Sequence, residues 1–324
     1  MQQNISFDAA FGTRFSVSVD TEEEFDWAGQ LTRDGHGVAS AAALGSGQAY
    51  FRSAGVIPAY YMDYPVAECD AALDALGPSI AVGAAEIGVH LHPWVTPPFT
   101  ENVDRYNSYA GNLDAATERA KISAIREQIV ARFGVVPIAY RAGRYGIGPN
   151  SYDILIEQGF KIDSSIRALF DYRDDGGPDF RGCNTHAHWA DAGKRLIELP
   201  LTAHYLGWGG RLKPPLFNVI RGSATLRAIA ARTGLVERVP LTPEGTPPMR
   251  ACAMIDHALD HGVRLLSMSF HSPSLAPGYT PYVRDAADLA AFYRWFDRVF
   301  DHCARRGILP TSLAQIVAAA EKTA

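Results

Sequence analysis

Short apolar runs alternate with amphipathic helical stretches along most of this chain, and four of the runs end in residues able to do chemistry. Phe15, Val17 and Val19 alternate with Ser16 and Ser18 at the period of a strand, and the pattern stops at Asp20. Residues 56–64, 86–90, 137–141, 195–201 and 263–271 read as further strands, and three of these close on His90, Arg141 and His271. Between them, Ile122, Ile125, Ile129 and Phe133 recur at three- and four-residue steps after Asp114 and before Gly134, marking a capped helix. Residues 67–76 read as a short helix closed by Gly77 and Pro78, and 150–158 as another. Residues 285–306 form a strongly amphipathic helix that ends at Gly307, and Ser312 with Gln315 has the spacing of a capping box for a last one. Such alternation favours a parallel sheet, open or closed, with active groups at the C-terminal ends of its strands.

A chain of 324 residues without repeats, low-complexity tracts or a linker is read as one domain, 1–324. Its rhythm breaks at 202–250, where Gly- and Pro-containing loops surround a helix expected at 223–232; this stretch is read as an insertion over the mouth of a barrel. With 30 basic and 35 acidic residues and no Lys/Arg-rich run, nucleic acid is not an expected partner. The N-terminus lacks the basic and apolar regions of a secretory signal and no apolar run is long enough to cross a bilayer, so the expected location is cytoplasmic, with no transmembrane segment. The four cysteines form no CxxC pair, which argues against a zinc ribbon or redox motif. Nothing in the sequence sets an oligomeric state.

Asp20, Glu22, Glu23, Glu24 and Asp26 fall within seven positions, and carboxylates so crowded repel unless a cation shares them. Taken alone, such a run is a solvated loop. It is accompanied, however, by His90 and His92 at one strand end, Arg141 at another and His271 at a third. If these ends share a rim, they supply the parts of metal-assisted hydrolysis. Side chains at i and i+2 of an extended segment share a face about 7 Å apart at Cα, so His90 and His92 can converge on one ion; the alternative is a pair of hydrogen-bonded rim histidines packed with Trp94. His186 and His188 repeat the spacing without an acidic strand end and stand as the rival pair, more simply read as satisfied loop histidines. Tyr205, Trp208 and Trp94 occupy Gly/Pro-containing loops, where they would either stack on sugar rings or pack. Whether Glu22 or Glu23 faces inward is open, because a one-residue shift exchanges faces.

The ordered segments SVDTE, EIGVHLHP, YRAGRYG, GFKIDSS, IELPLT and SFH resemble the motifs of the polysaccharide deacetylase (NodB-homology) family, the family 4 carbohydrate esterases, from about residue 15 to 316. The resemblance implies a distorted (β/α)7 barrel of the glycoside hydrolase/deacetylase type that removes acetyl groups from N-acetylated sugars with zinc or a similar divalent ion such as cobalt. Asp20 matches the family's base. Thr21 follows it, so the carboxylate ligand becomes Glu22, and the imidazole ligands become His90 and His92, because Trp94 stands at the family's second histidine position. Arg141 matches the arginine that keeps the base ionised, with Gly143 where proline is usual. A backbone N–H near Tyr145 would help bind an oxyanion, and His271 would protonate the leaving nitrogen, with Ser272 where an aspartate commonly follows. Asp163 matches a position that tunes the site through hydrogen bonds, though a turn or capping role fits it as well. Trp94 and Trp208, with Tyr145, are the expected substrate contacts. The implied substrate is an acetylated amino sugar on a glycan or glycan precursor. A small-molecule C–N amidohydrolase and a catalytically silent glycan-binding protein on the same barrel are the alternatives.

Overall fold

The computed structural model describes residues 3–26, 29–207 and 237–324. Its strands, in chain order, are β1 (Gln3–Asn4), β2 (Arg14–Thr21), β3 (Ala59–Met62), β4 (Glu86–Leu91), β5 (Ala139–Ala142), β6 (Ile162–Asp163), β7 (His188–Trp189), β8 (Ile197–Glu198), β9 (Ala203–Leu206), β10 (Glu237–Pro240), β11 (Leu265–His271) and β12 (Leu309–Pro310). The described helices are α1 (Leu44–Ser53), α2 (Tyr64–Glu68), α3 (Asp70–Ala81), α4 (Ala115–Phe133), α5 (Ser151–Glu157), α6 (Pro248–Asp260), α7 (Ala286–Arg305) and α8 (Leu313–Glu321).

Strands β11, β2, β3, β4, β5, β6 and β8 pair in parallel in that order, giving seven parallel strands of a curled, distorted barrel, and the short β12 pairs in parallel with the start of β2. β7 and β1 extend the sheet antiparallel beyond β8. The gap between β8 and β11 is spanned by Thr202, whose N–H donates to the Ser267 carbonyl at 3.2 Å and whose Oγ1 accepts the Ser267 N–H at 2.8 Å. β9 and β10 form a separate antiparallel ladder within the stretch read as an insertion; the helix expected at 223–232 lies outside the described residues.

The period-2 pattern of β2 separates two buried faces. Phe15, Val17 and Val19 pack in the core under the helices, while Ser16, Ser18 and Asp20 point the other way and are also buried. Polar side chains inside the curl need partners, and Ser18 finds one by donating to the Met268 carbonyl at 2.9 Å. Outside, α4 is fixed as its sequence predicts: Asp114 accepts N–H bonds from Ala116 and Thr117, Gly134 ends the helix at φ 68°, and Ile122, Ile125 and Ile129 are fully buried. Each such isoleucine contributes roughly 1.5 to 3 kcal/mol of burial. α7 is capped by Asp285 and lays Phe292, Phe296 and Val299 on the core, and α8 carries the expected Ser312–Gln315 capping box.

The helix expected to close at Gly77 and Pro78 instead continues to Ala81, with Pro78 inside it. Proline removes one backbone bond there, and the burial of Leu76 and Ile80 holds the last turn against the core nonetheless. At the opposite end of the barrel from the strand tips, Leu313 and Ile316 of α8 pack with Ala59, Ile162 and Ile197. The Glu86 carboxylate accepts the N–H groups of Leu313 and Ala314, tying α8 to the start of β4.

Candidate metal and catalytic centre

The parallel register brings the chemistry-bearing tips side by side. His271 at the end of β11 lies opposite Asp20 at the end of β2, and His90 on β4 lies opposite Arg141 on β5. Beyond Thr21 the chain leaves the strand, with the Glu22 N–H donating to Ser272 Oγ at 3.2 Å and the Glu23 N–H to Asp63 Oδ2 at 2.6 Å. These two anchors turn the consecutive acids apart. Glu22 enters the barrel mouth, and Glu23 runs behind the histidine strand.

Glu22 Oε2 lies 3.5 Å from His90 Nε2 and 3.5 Å from His92 Nε2, and all three residues are buried. Each imidazole is held at its other nitrogen: His90 Nδ1 lies 3.2 Å from the Arg141 carbonyl, and His92 Nδ1 lies 2.7 Å from Glu23 Oε2. A carbonyl only accepts, so Nδ1 of His90 carries the hydrogen and its Nε2 presents a lone pair toward Glu22; the Glu23 carboxylate fixes His92 in the same way. This is the outer support that metal-ligating histidines use. Glu22 Oε1 is buried with no hydrogen-bond partner among the described residues. Burial pushes the Glu22 carboxyl up to about 7 and the His92 imidazole down to about 4, and lowers His90 as well. One carboxylate and two neutral imidazoles, each disfavoured in its charged form by burial, form a donor set that a divalent cation would satisfy.

Asp20 lies beside this group. Burial alone would raise its carboxyl, but the Arg141 guanidinium and the nearby His90 and His271 hold it below the ordinary carboxylate range. Arg141, fully buried, pairs with Asp20 Oδ1, donates to Ser18 Oγ at 2.9 Å, Ser164 Oγ at 3.0 Å and the Ser164 carbonyl at 2.9 Å, and lies over the Tyr61 ring. So many bonds leave it one orientation. His271 Nε2 is 3.9 Å from Asp20 Oδ2, and its Nδ1 is 2.6 Å from Glu244 Oε2. Burial works against a charged His271, yet the carboxylates of Glu244, Glu22 and Asp20 outweigh it and raise the imidazole to about 10. Two neighbouring groups with pKa values pushed apart are the arrangement of a base beside an acid.

Above these groups opens a cavity of about 680 Å³, lined at its floor by Asp20, Glu22, His90, His92 and His271. Tyr145 lines one wall on a turn where Arg144 and Tyr145 both have positive φ, 54° and 61°. Such consecutive non-glycine residues cost of order 1 to 3 kcal/mol each and persist where the surroundings impose them. Arg144 is held by Ser108 Oγ and lies over the Tyr109 ring.

Other expected site residues fall elsewhere. The expectation that Trp94 offers a sugar-stacking face is corrected: it is 2 % exposed, stacks under His92 with ring centroids 4.2 Å apart, and donates its indole N–H to Glu23 Oε1 at 2.9 Å. An apolar ring closing the back of the histidine strand leaves no face for a ligand. Trp208 lies outside the described residues. Asp163 accepts from Ser165 Oγ at 2.5 Å, and Ser165 in turn accepts the Ala142 N–H, so Asp163 reaches the tip of β5 at one remove. The His186–His188 pair is joined only by His188 Nδ1 to the His186 carbonyl at 2.9 Å, and among the described residues no acid completes a metal group with it.

Three residues carry structure at this centre in roles that the sequence did not assign to them. Glu23 and Ser164 were visible beside Glu22 and Asp163, but only the backbone course shows which atoms they hold. Glu244 sits in a Pro/Gly loop with no periodicity, and no signal in the sequence links it to His271.

Neither a family model nor a curated protein matches the sequence. Solved structures do match in fold. A protein described as a polysaccharide deacetylase from Mycobacterium smegmatis superposes with a TM-score of 0.56 at 19 % identity, over 99 % of this chain and 94 % of that one. Another so described from Pseudomonas aeruginosa PAO1 gives 0.51 at 15 %, covering 97 % and 92 %. Puue allantoinase also gives 0.51 at 15 %, covering 96 % and 90 %. The chain therefore has the fold of these barrels.

Proposed function

We propose that the chain is a divergent polysaccharide deacetylase, a hydrolase that removes an N-acetyl group from an amino sugar of a glycan or glycan precursor. The observation that carries this reading is the meeting of three groupings at one cavity: Glu22 with its two imidazoles, Asp20 with Arg141, and His271 with Glu244. Glu22, His90 and His92 would hold a divalent ion, with zinc favoured by two nitrogens and one carboxylate and cobalt acceptable to the same donors. When bound, such an ion supplies Lewis acidity to an acyl oxygen and lowers the pKa of water toward about 7.

The chain's own groups do the rest. Asp20, kept ionised by Arg141, accepts a proton from the attacking water. Arg141, locked by Ser18 and Ser164, keeps that carboxylate aimed while the proton moves. His271, protonated well above neutrality and oriented by Glu244, gives its proton to the departing nitrogen. The tight turn at Tyr145 lines the same cavity, and its backbone N–H would stabilise a developing oxyanion. Acetate and a free amine result.

The likeness to the allantoinase favours a second reading, cleavage of a C–N bond in a small non-sugar amide by the same groups. Acetate release decides between them. Protein loaded with zinc or cobalt is expected to release acetate from N-acetylglucosamine oligomers, and D20N to lose about 100-fold or more in kcat. Hydrolysis of small amides without acetate release from sugars would select the second reading. Absence of bound metal and of any hydrolysis would leave a silent glycan-binding barrel.

A further inference from the structure

Most acids around the cavity have a cation or a proton to share. Asp20 has Arg141, Glu244 has His271, Glu23 has His92, and Asp175 on the wall holds Arg105 at 2.8 Å and Arg144 at 3.5 Å. Arg167 lines the same cavity and, among the described residues, has no carboxylate within ion-pair distance. Asp26 and Asp104 also line it, at the exposed mouth, and neither pairs with Arg167. A half-buried guanidinium without a counter-ion carries a desolvation cost, and proteins keep one where a ligand supplies the charge.

Its surroundings fix the head group and leave edges of it open. The guanidinium lies 4.0 Å from the centre of the Phe170 ring and 5.1 Å from that of Tyr145, and Nη1 donates to the Tyr172 hydroxyl at 3.2 Å. Aromatic rings take up its faces and one hydroxyl takes one of five N–H donors, so donors remain at the rim of a planar fork suited to oxyanions. Burial disfavours the charge, yet the neighbouring phenols of Tyr145 and Tyr172 raise the pKa, and arginine stays protonated in any case. Position matters as much as charge. Tyr145 belongs to the turn that follows Arg141, the partner of Asp20, so an anion on Arg167 sits one aromatic ring away from the reacting groups, in the same cavity.

We propose that Arg167 is a subsite for an oxyanion, a carboxylate or phosphate, carried by the substrate, so that the chain prefers an N-acylated acid to its neutral counterpart. The preference for an acylated substrate rests on the hydrolase reading above; the anion subsite itself does not. Among the described residues, no other arginine lining the cavity competes for the role on equal terms, since Arg105 and Arg144 already hold Asp175.

Two measurements separate the subsite from the reaction. Metal-free protein titrated by calorimetry with inorganic phosphate and with succinate is expected to bind at least one of them saturably, with R167Q weakening it about tenfold or more and the surface variant R195Q leaving it unchanged. The difference between the two anions reports which oxyanion the fork takes. In the second measurement, metal-loaded protein is given N-acetylglucosamine, N-acetylmuramic acid and N-acetylglucosamine 6-phosphate. R167Q should raise KM for the favoured acid by about tenfold or more while leaving kcat and KM for the neutral sugar nearly unchanged, and R167K should recover part of the loss. A merely structural Arg167 would lower kcat for all three alike together with Tm. Absence of saturable anion binding, or binding indifferent to R167Q, overturns the subsite even if the neutral sugar is hydrolysed. Anion binding through Arg167 without any hydrolysis leaves the subsite standing and removes the hydrolase reading.

Discussion

Glu244 is 27 residues from His271 in the chain, and its carboxylate bonds the ring Nδ1 at 2.6 Å and the His271 N–H at 3.1 Å. Its Oε1 also accepts from Ser274 Oγ at 2.7 Å, so the acid is fixed before it orients the ring. The effect on protons has a definite sign. A proton donor works only below its own pKa, and burial pulling His271 down is overridden by Glu244, Glu22 and Asp20, which lift it to about 10. Removing the Glu244 charge lowers that value. E244Q is therefore expected to move the alkaline limb of kcat/KM toward neutral pH by about one unit, while the acid limb, set by an Asp20 held low by Arg141, stays in place. A pH profile from about 3 to 11 on both proteins checks this; an unmoved alkaline limb would detach Glu244 from proton delivery. Asp20, Arg141 and His271 were legible in the sequence because each closes an apolar strand. Glu244 was not, because an acid in a proline-rich loop looks the same whether it faces solvent or a histidine.

Between strands, what positions the donors is how closely the tips of β4 and β5 approach. Gly143 follows Ala142 at the end of β5, and a Cβ built there would collide with His92 Cδ2 and the Leu91 carbonyl. The family resembled by these motifs usually has proline at this point; here the position needs the smallest side chain because His92, two residues after His90, occupies the space. The same crowding brings both imidazoles of the His-x-His pair toward Glu22: His92 is pressed between Gly143, the Trp94 ring and Glu23 until its Nε2 faces Glu22. G143A is expected to displace the imidazole and weaken zinc binding by about tenfold or more, as loss of outer support does, and to lower stability by roughly 1 to 3 kcal/mol through overpacking. Calorimetric titration of metal-free protein checks it, and an unchanged affinity would mean that His92 is not a ligand. The inward turn of Glu22 could not be read from sequence, since it depends on Ser272 and Asp63 anchoring two consecutive amides. Nor could the passage of α3 through Pro78, which tertiary burial of Ile80 imposes on an unfavourable residue.

For the molecule as a whole, the barrel was legible because parallel strands buried on both faces and amphipathic helices leave separate periodic signatures. Which polar residues lie inside it was not, because Ser, Asp and Glu on a strand or helix read as solvent-facing until the curl encloses them. Glu118 shows the consequence for stability. It falls in the first turn of α4, within a solvent-like charge pattern, yet it is fully buried, accepts a bond from Ser151 Oγ at the start of α5, and leaves Oε2 with no partner among the described residues. Burial raises its carboxyl from 4.5 to about 7. The folded protein thus holds this proton more tightly than the unfolded chain. Its contribution to stability is fully present below about pH 4.5 and is lost as the pH rises through about 7, above which a buried charge remains uncompensated. E118Q keeps an acceptor for Ser151 and cannot ionise. It is expected to match the wild type in denaturant unfolding near pH 5 and to exceed it at pH 8 by roughly 1 to 3 kcal/mol. Equal differences at both pH values would show that Glu118 stays ionised in the fold, with water reaching it between α4 and α5.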